Sequence, residues 1–139
     1  MKEEYKSLLS NDTWDLIPLP NGRKLVRCKW VYRTKCGPDG KVDKHKARLV
    51  AKGFSQVEGI DYTKTFAPIA IVRSIHLVLS LTASNKWKVH QMDVKSSFLH
   101  GDLHEEIYME QLPGFIHNDS SLVCHLKKSL YGLKQAPHA

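Results

Sequence analysis

The sequence predicts an α+β domain. A basic stretch at 25–35 alternates apolar and polar residues, turns at Gly37-Pro38-Asp39-Gly40 and returns at 46–52, as a hairpin does. A stretch at 69–83 places Ile71, Val72, Ile75, Val78 and Leu79 at helical spacing. Short apolar segments at 107–110 and 122–126, separated by Pro113-Gly114, read as further strands. Strands in hairpins mixed with helices give the class.

The remaining elements follow in chain order. Residues 1–10 form one or two amphipathic helical turns, with Tyr5, Leu8 and Leu9 on the apolar side. The turn at 11–15 is rich in side chains that bond their own backbone, and Pro18 and Pro20 keep 16–20 extended. Asn21-Gly22 is a tight turn. In the hairpin, Val26, Cys28, Trp30 and Tyr32 share one face. Arg27, Lys29, Arg33 and Lys35 lie on or near the other, with Val31 interrupting the pattern. Residues 53–68 read as loop. The helix at 69–83 carries Leu77 and Leu81 outside its main stripe, which predicts burial on more than one side. Asn85 ends it, a strand is expected at 87–90, and Asp93 stands where that apolar run stops.

Composition bounds the function. The chain has 139 residues, 42% of them apolar and 25% charged, enough for one domain with a real core. No apolar run approaches the roughly 20 residues that cross a bilayer, and residues 1–6 lack the apolar core of a signal peptide. An intracellular protein without membrane contact is expected. Cys28, Cys36 and Cys124 are odd in number and too widely spaced for a disulfide framework or a zinc knuckle, so they read as plain buried or half-buried thiols. His100 and His104 are four apart, but Gly101 between them argues against a helical metal pair.

The net charge of +7 is concentrated. Arg23, Lys24, Arg27, Lys29, Arg33, Lys35, Lys41, Lys44, Lys46, Arg48 and Lys52 face only Asp39 and Asp43 within 23–52. A basic hairpin with Trp30 and Tyr32 interleaved suits a polyanion, either nucleic acid or a nucleoside triphosphate. Asp93, followed by the small residues Ser96 and Ser97, suits a divalent metal held against phosphates. It equally suits a solvated turn residue that ends a strand.

Five stretches in order carry a resemblance: Lys46-Ala47-Arg48-Leu49-Val50-Ala51-Lys52-Gly53, Thr65-Phe66-Ala67-Pro68, the run from Gln91 through Asp93 to Gly101, Ile107-Tyr108-Met109-Glu110-Gln111, and Ser129-Leu130-Tyr131-Gly132-Leu133-Lys134-Gln135-Ala136-Pro137. Together they resemble the reverse transcriptase of copia-type LTR retrotransposons, of the kind abundant in plant genomes. The resemblance covers residues 14–139, with 1–13 as an N-terminal flank. It implies a partial right-hand polymerase fold, with the basic hairpin in the fingers and the helix and Asp93 in an incomplete palm.

The resemblance also implies roles. Asp93 and the Val94 carbonyl would be ligands of Mg²⁺ in a two-metal site that activates a primer hydroxyl. Phe98 would be the aromatic gate that excludes a 2′-hydroxyl. Ser96 and Ser97 would offer backbone N–H groups to phosphate oxygens. Tyr131 precedes Gly132, the glycine whose missing side chain would admit template or nucleotide. Arg48, with Lys46, would pair with the triphosphate, a task that suits a guanidinium. The implied partners are an RNA or DNA template-primer, deoxynucleoside triphosphates and the rest of a Pol polyprotein. The implied setting is the cytoplasm, a virus-like particle or the nucleus.

The chain departs from the family pattern in one respect. The second catalytic segment, Tyr-x-Asp-Asp, is absent, and no Asp-Asp pair occurs anywhere in the sequence. The expectation is a fragment that is inactive alone, or a non-catalytic nucleic-acid-binding module that uses the hairpin at 23–52.

Overall fold

A computed structural model describes residues 1–65, 71–92, 94 and 97–138, with backbone only at 98 and 100. Among the described residues there are two α-helices, α1 (Lys2–Ser10) and α2 (Val72–Ser84). Six strands accompany them: β1 (Trp14–Pro18), β2 (Leu25–Val26), β3 (Cys28–Cys36), β4 (Val42–Ala51), β5 (Asp102–Met109) and β6 (Leu122–Lys128). The class is α+β, as expected.

The strands form two sheets. A four-stranded sheet has the order β1-β6-β5-β2, and a separate two-stranded sheet pairs β3 with β4. In the larger sheet β6 is antiparallel to both neighbours, with Leu126 opposite Trp14 on one side and Ile107 on the other. Strand β2 is parallel to β5, with Leu25 opposite Tyr108. The expected hairpin strand at 25–35 is therefore divided. Its first two residues join the larger sheet, and the chain changes sheets across Arg27. Glu110 holds that crossing: its N–H donates to Val26 O (3.0 Å) and its Oε1 accepts from Cys28 N–H (2.7 Å).

The core lies where the two sheets meet. Leu8, Leu49, Ile107, Met109, Leu112, Leu126 and Leu130 are each at most 1–2% exposed. Helix α1 contributes Leu8 to this core, and its Tyr5 ring stacks on Phe115 with centroids 4.1 Å apart. The buried thiols of Cys28 and Cys124 are pushed up to about 12 by loss of solvent, with the Glu110 charge adding to the effect at Cys28. Cys36 is exposed. All three are free thiols, but Cys36 departs from the expected burial because it lies near the solvated tip of the hairpin.

The apolar face of β3 leaves the core partway along. Cys28 is buried and Trp30 half-buried, with its Nε1–H donating to Pro113 O at 2.8 Å, while Tyr32 is 64% exposed. The hairpin is thus anchored at its root and solvated on both faces toward its tip.

Two expectations fail. The strand expected at 87–90 is absent: these residues are exposed and irregular, because no described strand lies beside them to take their backbone hydrogen bonds. Helix α2 forms with the predicted periodicity, but Ile75, Val78, Leu79 and Leu81 are all exposed, and no α2 residue is buried. Periodicity specifies the helix; burial also requires a facing element, and no described element covers it. The expected start of that helix at 69–70 and most of Thr65-Phe66-Ala67-Pro68 lie outside the described residues.

Candidate nucleotide and nucleic-acid surface

Antiparallel register decides which side chains share a face of the hairpin. Lys29 lies opposite Val50, Val31 opposite Arg48, Arg33 opposite Lys46 and Lys35 opposite Lys44. These eight positions form one face. It holds six cations, two valines and no carboxylate. Two of its four rows place like charges directly across from each other, an arrangement that is unfavourable in the isolated sheet. A polyanion lying across that face relieves it. On this face Lys29, Arg33, Lys35 and Lys44 are exposed, whereas Lys46 and Arg48 are half-buried toward the root.

At the root, β4 meets the segment after β6. Among the described residues, no strand pairs with the outer edge of β4. Its Ala51 N–H donates to Tyr131 O at 2.8 Å, and the Leu49 backbone N–H acts on the Glu4 carboxyl, favouring its charged form. Glu4 also attracts Arg48 and Lys46 electrostatically, while burial raises its carboxyl above the ordinary value. The Arg48 guanidinium carbon sits 5.4 Å from the centroid of the Tyr131 ring, within cation–π range. Arg48, Tyr131 and Gly132, separated by more than 80 residues in sequence, are therefore neighbours.

Gly132 has φ +90°, and a Cβ there would overlap Ala51 O and stand 2.7 Å from Val50 Cγ1. A Cβ at Gly53 would likewise overlap Gly132 O. The close approach that Gly132 permits in this structure is thus that of the β4 backbone. Nearby, Gln56 and Gln135 are buried and hydrogen-bonded to each other (3.1 Å). Gly53, Glu110 and Gln135 lie in the singled-out stretches and Gln56 does not, but the structural use of all four was hidden in the sequence, since each acts on a partner roughly 80 residues away.

The remaining predicted residues are dispersed. Ser97 is exposed and opens a 3-10 turn, Ser97–His100, which Leu99 pins to the core at 5% exposure. Phe98 lies in that turn. Val94 is 63% exposed. Asp93 and Ser96 lie outside the described residues. His104 falls in β5, so it does not share a helix with His100. Among the described residues no three His, Cys, Asp or Glu side chains converge to hold a metal ion. No described helix is long and apolar enough to cross a membrane.

Comparison with known proteins places the chain. The family profile described as reverse transcriptase (RNA-dependent DNA polymerase) matches residues 11–139. The chain is 52% identical over 138 residues to the retrovirus-related Pol polyprotein from transposon TNT 1-94 of Nicotiana tabacum, covering 99% of this chain and 10% of that protein. It is 45% identical over 141 residues to the Pol polyprotein from transposon RE1 of Arabidopsis thaliana, covering 100% and 10%. The Ty1-H Gag-Pol polyprotein of Saccharomyces cerevisiae is 34% identical over 144 residues, covering 96% and 7%. The chain spans about a tenth of the length of these curated relatives. No solved structure matches it. A profile over nearly the whole chain and three Pol relatives that align across almost all of it agree: the chain belongs to the Ty1/copia retrotransposon reverse transcriptase family.

Proposed function

We propose that this chain is the part of a retrotransposon reverse transcriptase that grips the template-primer and the triphosphate of the incoming nucleotide. In this reading the β3–β4 hairpin belongs to the fingers, and the four-stranded sheet with α2 belongs to the palm. The observation that carries it is the cationic face of the hairpin, which holds six cations and no carboxylate and places Arg48 over Tyr131. Exposed lysines and arginines along the hairpin neutralise backbone phosphates, which supports affinity without reading sequence. At the root, Arg48 is half-buried with its guanidinium over the Tyr131 ring, and its planar fork suits a triphosphate. Lys46, two residues away on the same face, adds a second cation. The exposed backbone at Ser97 suits phosphate oxygens, and Phe98 gates the sugar.

Asp93, with the Val94 carbonyl, is in this reading one corner of the family's Mg²⁺ site. The ion relies on several oxygens together, so one corner alone holds it poorly. The 139 residues contain no Asp-Asp pair. On its own, therefore, the chain binds nucleic acid without extending a primer. The activity belongs to the longer Pol polyprotein, acting on RNA or DNA template-primer within the cell.

Two substitutions separate gripping from chemistry. Purified chain is mixed with a fluorescent RNA–DNA template-primer and assayed for binding and for nucleotide incorporation with Mg²⁺. Arg48→Ala is expected to weaken binding of inorganic tripolyphosphate several-fold, roughly the loss of one charge-assisted contact, and Asp93→Asn to leave template-primer binding unchanged, with no incorporation by any form. Incorporation that Asp93→Asn abolishes would overturn the inactive-alone reading. Tripolyphosphate binding that is indifferent to Arg48→Ala would remove the role of the hairpin root.

A further inference from the structure

The fold ties Tyr131 in place with a chain of two side-chain amides, one of them outside the singled-out stretches. Lys134 N–H donates to Gln56 Oε1 (2.9 Å), Gln56 Nε2 donates to Gln135 Oε1 (3.1 Å), and Gln135 Nε2 donates to Asp61 O (3.1 Å). Both glutamines are buried, at 7% and 3% exposure. The backbone ends set the polarity of the chain. An N–H at Lys134 needs an acceptor and a C=O at Asp61 needs a donor, so each amide has one consistent orientation. The three bonds join the turn after β4, the loop that reaches Asp61 and the segment after β6.

What they hold is the contact that places Tyr131. The Tyr131-Gly132 backbone lies against β4 so closely that neither Gly53 nor Gly132 could carry a Cβ, and Ala51 N–H bonds Tyr131 O. Backbone contact of this kind has no side-chain interdigitation to fix its register. The amide chain supplies that register from one side, three residues from Tyr131 at its near end. We propose that Gln56 and Gln135 are positioning residues, which set the Tyr131 ring beneath the Arg48 guanidinium for recognition of a triphosphate. This rests on the reading of Arg48 and Tyr131 as the nucleotide site. They touch no ligand themselves.

Gln135→Leu removes both the acceptor for Gln56 and the donor to Asp61. Gln135→Glu is the discriminating variant. Its ionised carboxylate cannot donate to Asp61 O and sets oxygen against oxygen. Its protonated form donates there and still accepts from Gln56, restoring the original pattern. Burial favours that neutral form.

The probes are inorganic tripolyphosphate for the root, single-stranded oligothymidylate for the outer hairpin, and hydrogen-exchange protection of the Ala51 amide for the backbone contact. Gln135→Leu is expected to lower Ala51 protection and tripolyphosphate affinity each about tenfold, the effect of leaving buried polar partners unpaired. Oligothymidylate affinity should stay within about twofold, because the outer cations are remote from the amides. In Gln135→Glu, Ala51 protection should recover as pH falls through the titration of the introduced carboxyl, which Gln135→Leu cannot reproduce. Unchanged Ala51 protection in both variants overturns the positioning role, as does tripolyphosphate affinity equal to the parent's. A parent chain that binds no tripolyphosphate overturns the reading of Arg48 and Tyr131 as a triphosphate site, and the Ala51 result then judges the structural half alone.

Discussion

Arg48 lies over the Tyr131 ring, and the Glu4 carboxyl is close enough to feel its charge. The sequence points to Arg48 through the run that contains it. It does not point to Glu4, whose other partner is a backbone N–H at the outer edge of β4. Burial raises the Glu4 carboxyl above its ordinary value of 4.5, against the opposing pull of Arg48 and the Leu49 N–H. The folded chain therefore binds this proton more tightly than the unfolded chain does. That contribution to stability is fully present below the ordinary value and is lost as pH rises through the raised one. Glu4→Gln keeps an acceptor for Leu49 N–H and removes the titration. Urea unfolding of parent and variant between about pH 4 and 7 should show the parent losing stability relative to the variant as pH rises. A parent that gains on the variant over that range contradicts the account of Glu4.

At the scale of elements, the β3–β4 hairpin trades its own stability for charge. Arg33 faces Lys46 and Lys35 faces Lys44 across the ladder. Replacing Lys44 with Glu turns one repulsive row into an attractive one. It is expected to stabilise the chain by about 0.2–1 kcal/mol in a urea melt. The same change is expected to weaken nucleic-acid binding, since a phosphate contact becomes a repulsion. A variant that is less stable, or that binds as tightly as the parent, contradicts this reading of the hairpin. The hairpin was legible because its alternation and its turn at 37–40 are local signals. The division between β2 and β3 was not, since it depends on Glu110 and on a parallel partner in β5. For α2 the period gave the helix correctly. Its expected burial required an element that covers it, which lies outside anything its own spacing encodes.

At the scale of the molecule, the hairpin is mounted on the larger sheet at its root and free beyond it. Glu110 clamps the crossing at Arg27, the Gly53 and Gly132 backbones meet beside it, and Leu49 and Cys28 enter the shared core. This architecture places a cationic face in solvent while Arg48, near its root, packs over the Tyr131 ring. Of the candidate site, the charge and the ordered motifs were readable in the residues themselves. The contact of Arg48 with Tyr131 and the structural use of Gly132 were not, because both arise from packing between segments about 80 residues apart. Gly132 has a reason within the fold, since the β4 backbone occupies the space a side chain would need.

The central claim is that the hairpin face grips a phosphate backbone, and the salt dependence of binding tests it most directly. Affinity of the chain for an RNA–DNA template-primer is measured by fluorescence anisotropy across a salt series, for the parent and for a Lys29→Ala, Arg33→Ala, Lys35→Ala triple variant. These three side chains are exposed on β3 and lie on the cationic face. The parent should give a log–log slope of about −3 to −5, and the triple variant a slope shallower by about 2 to 3. A parent whose binding is independent of salt, or a triple variant with the parent's slope, would contradict the claim.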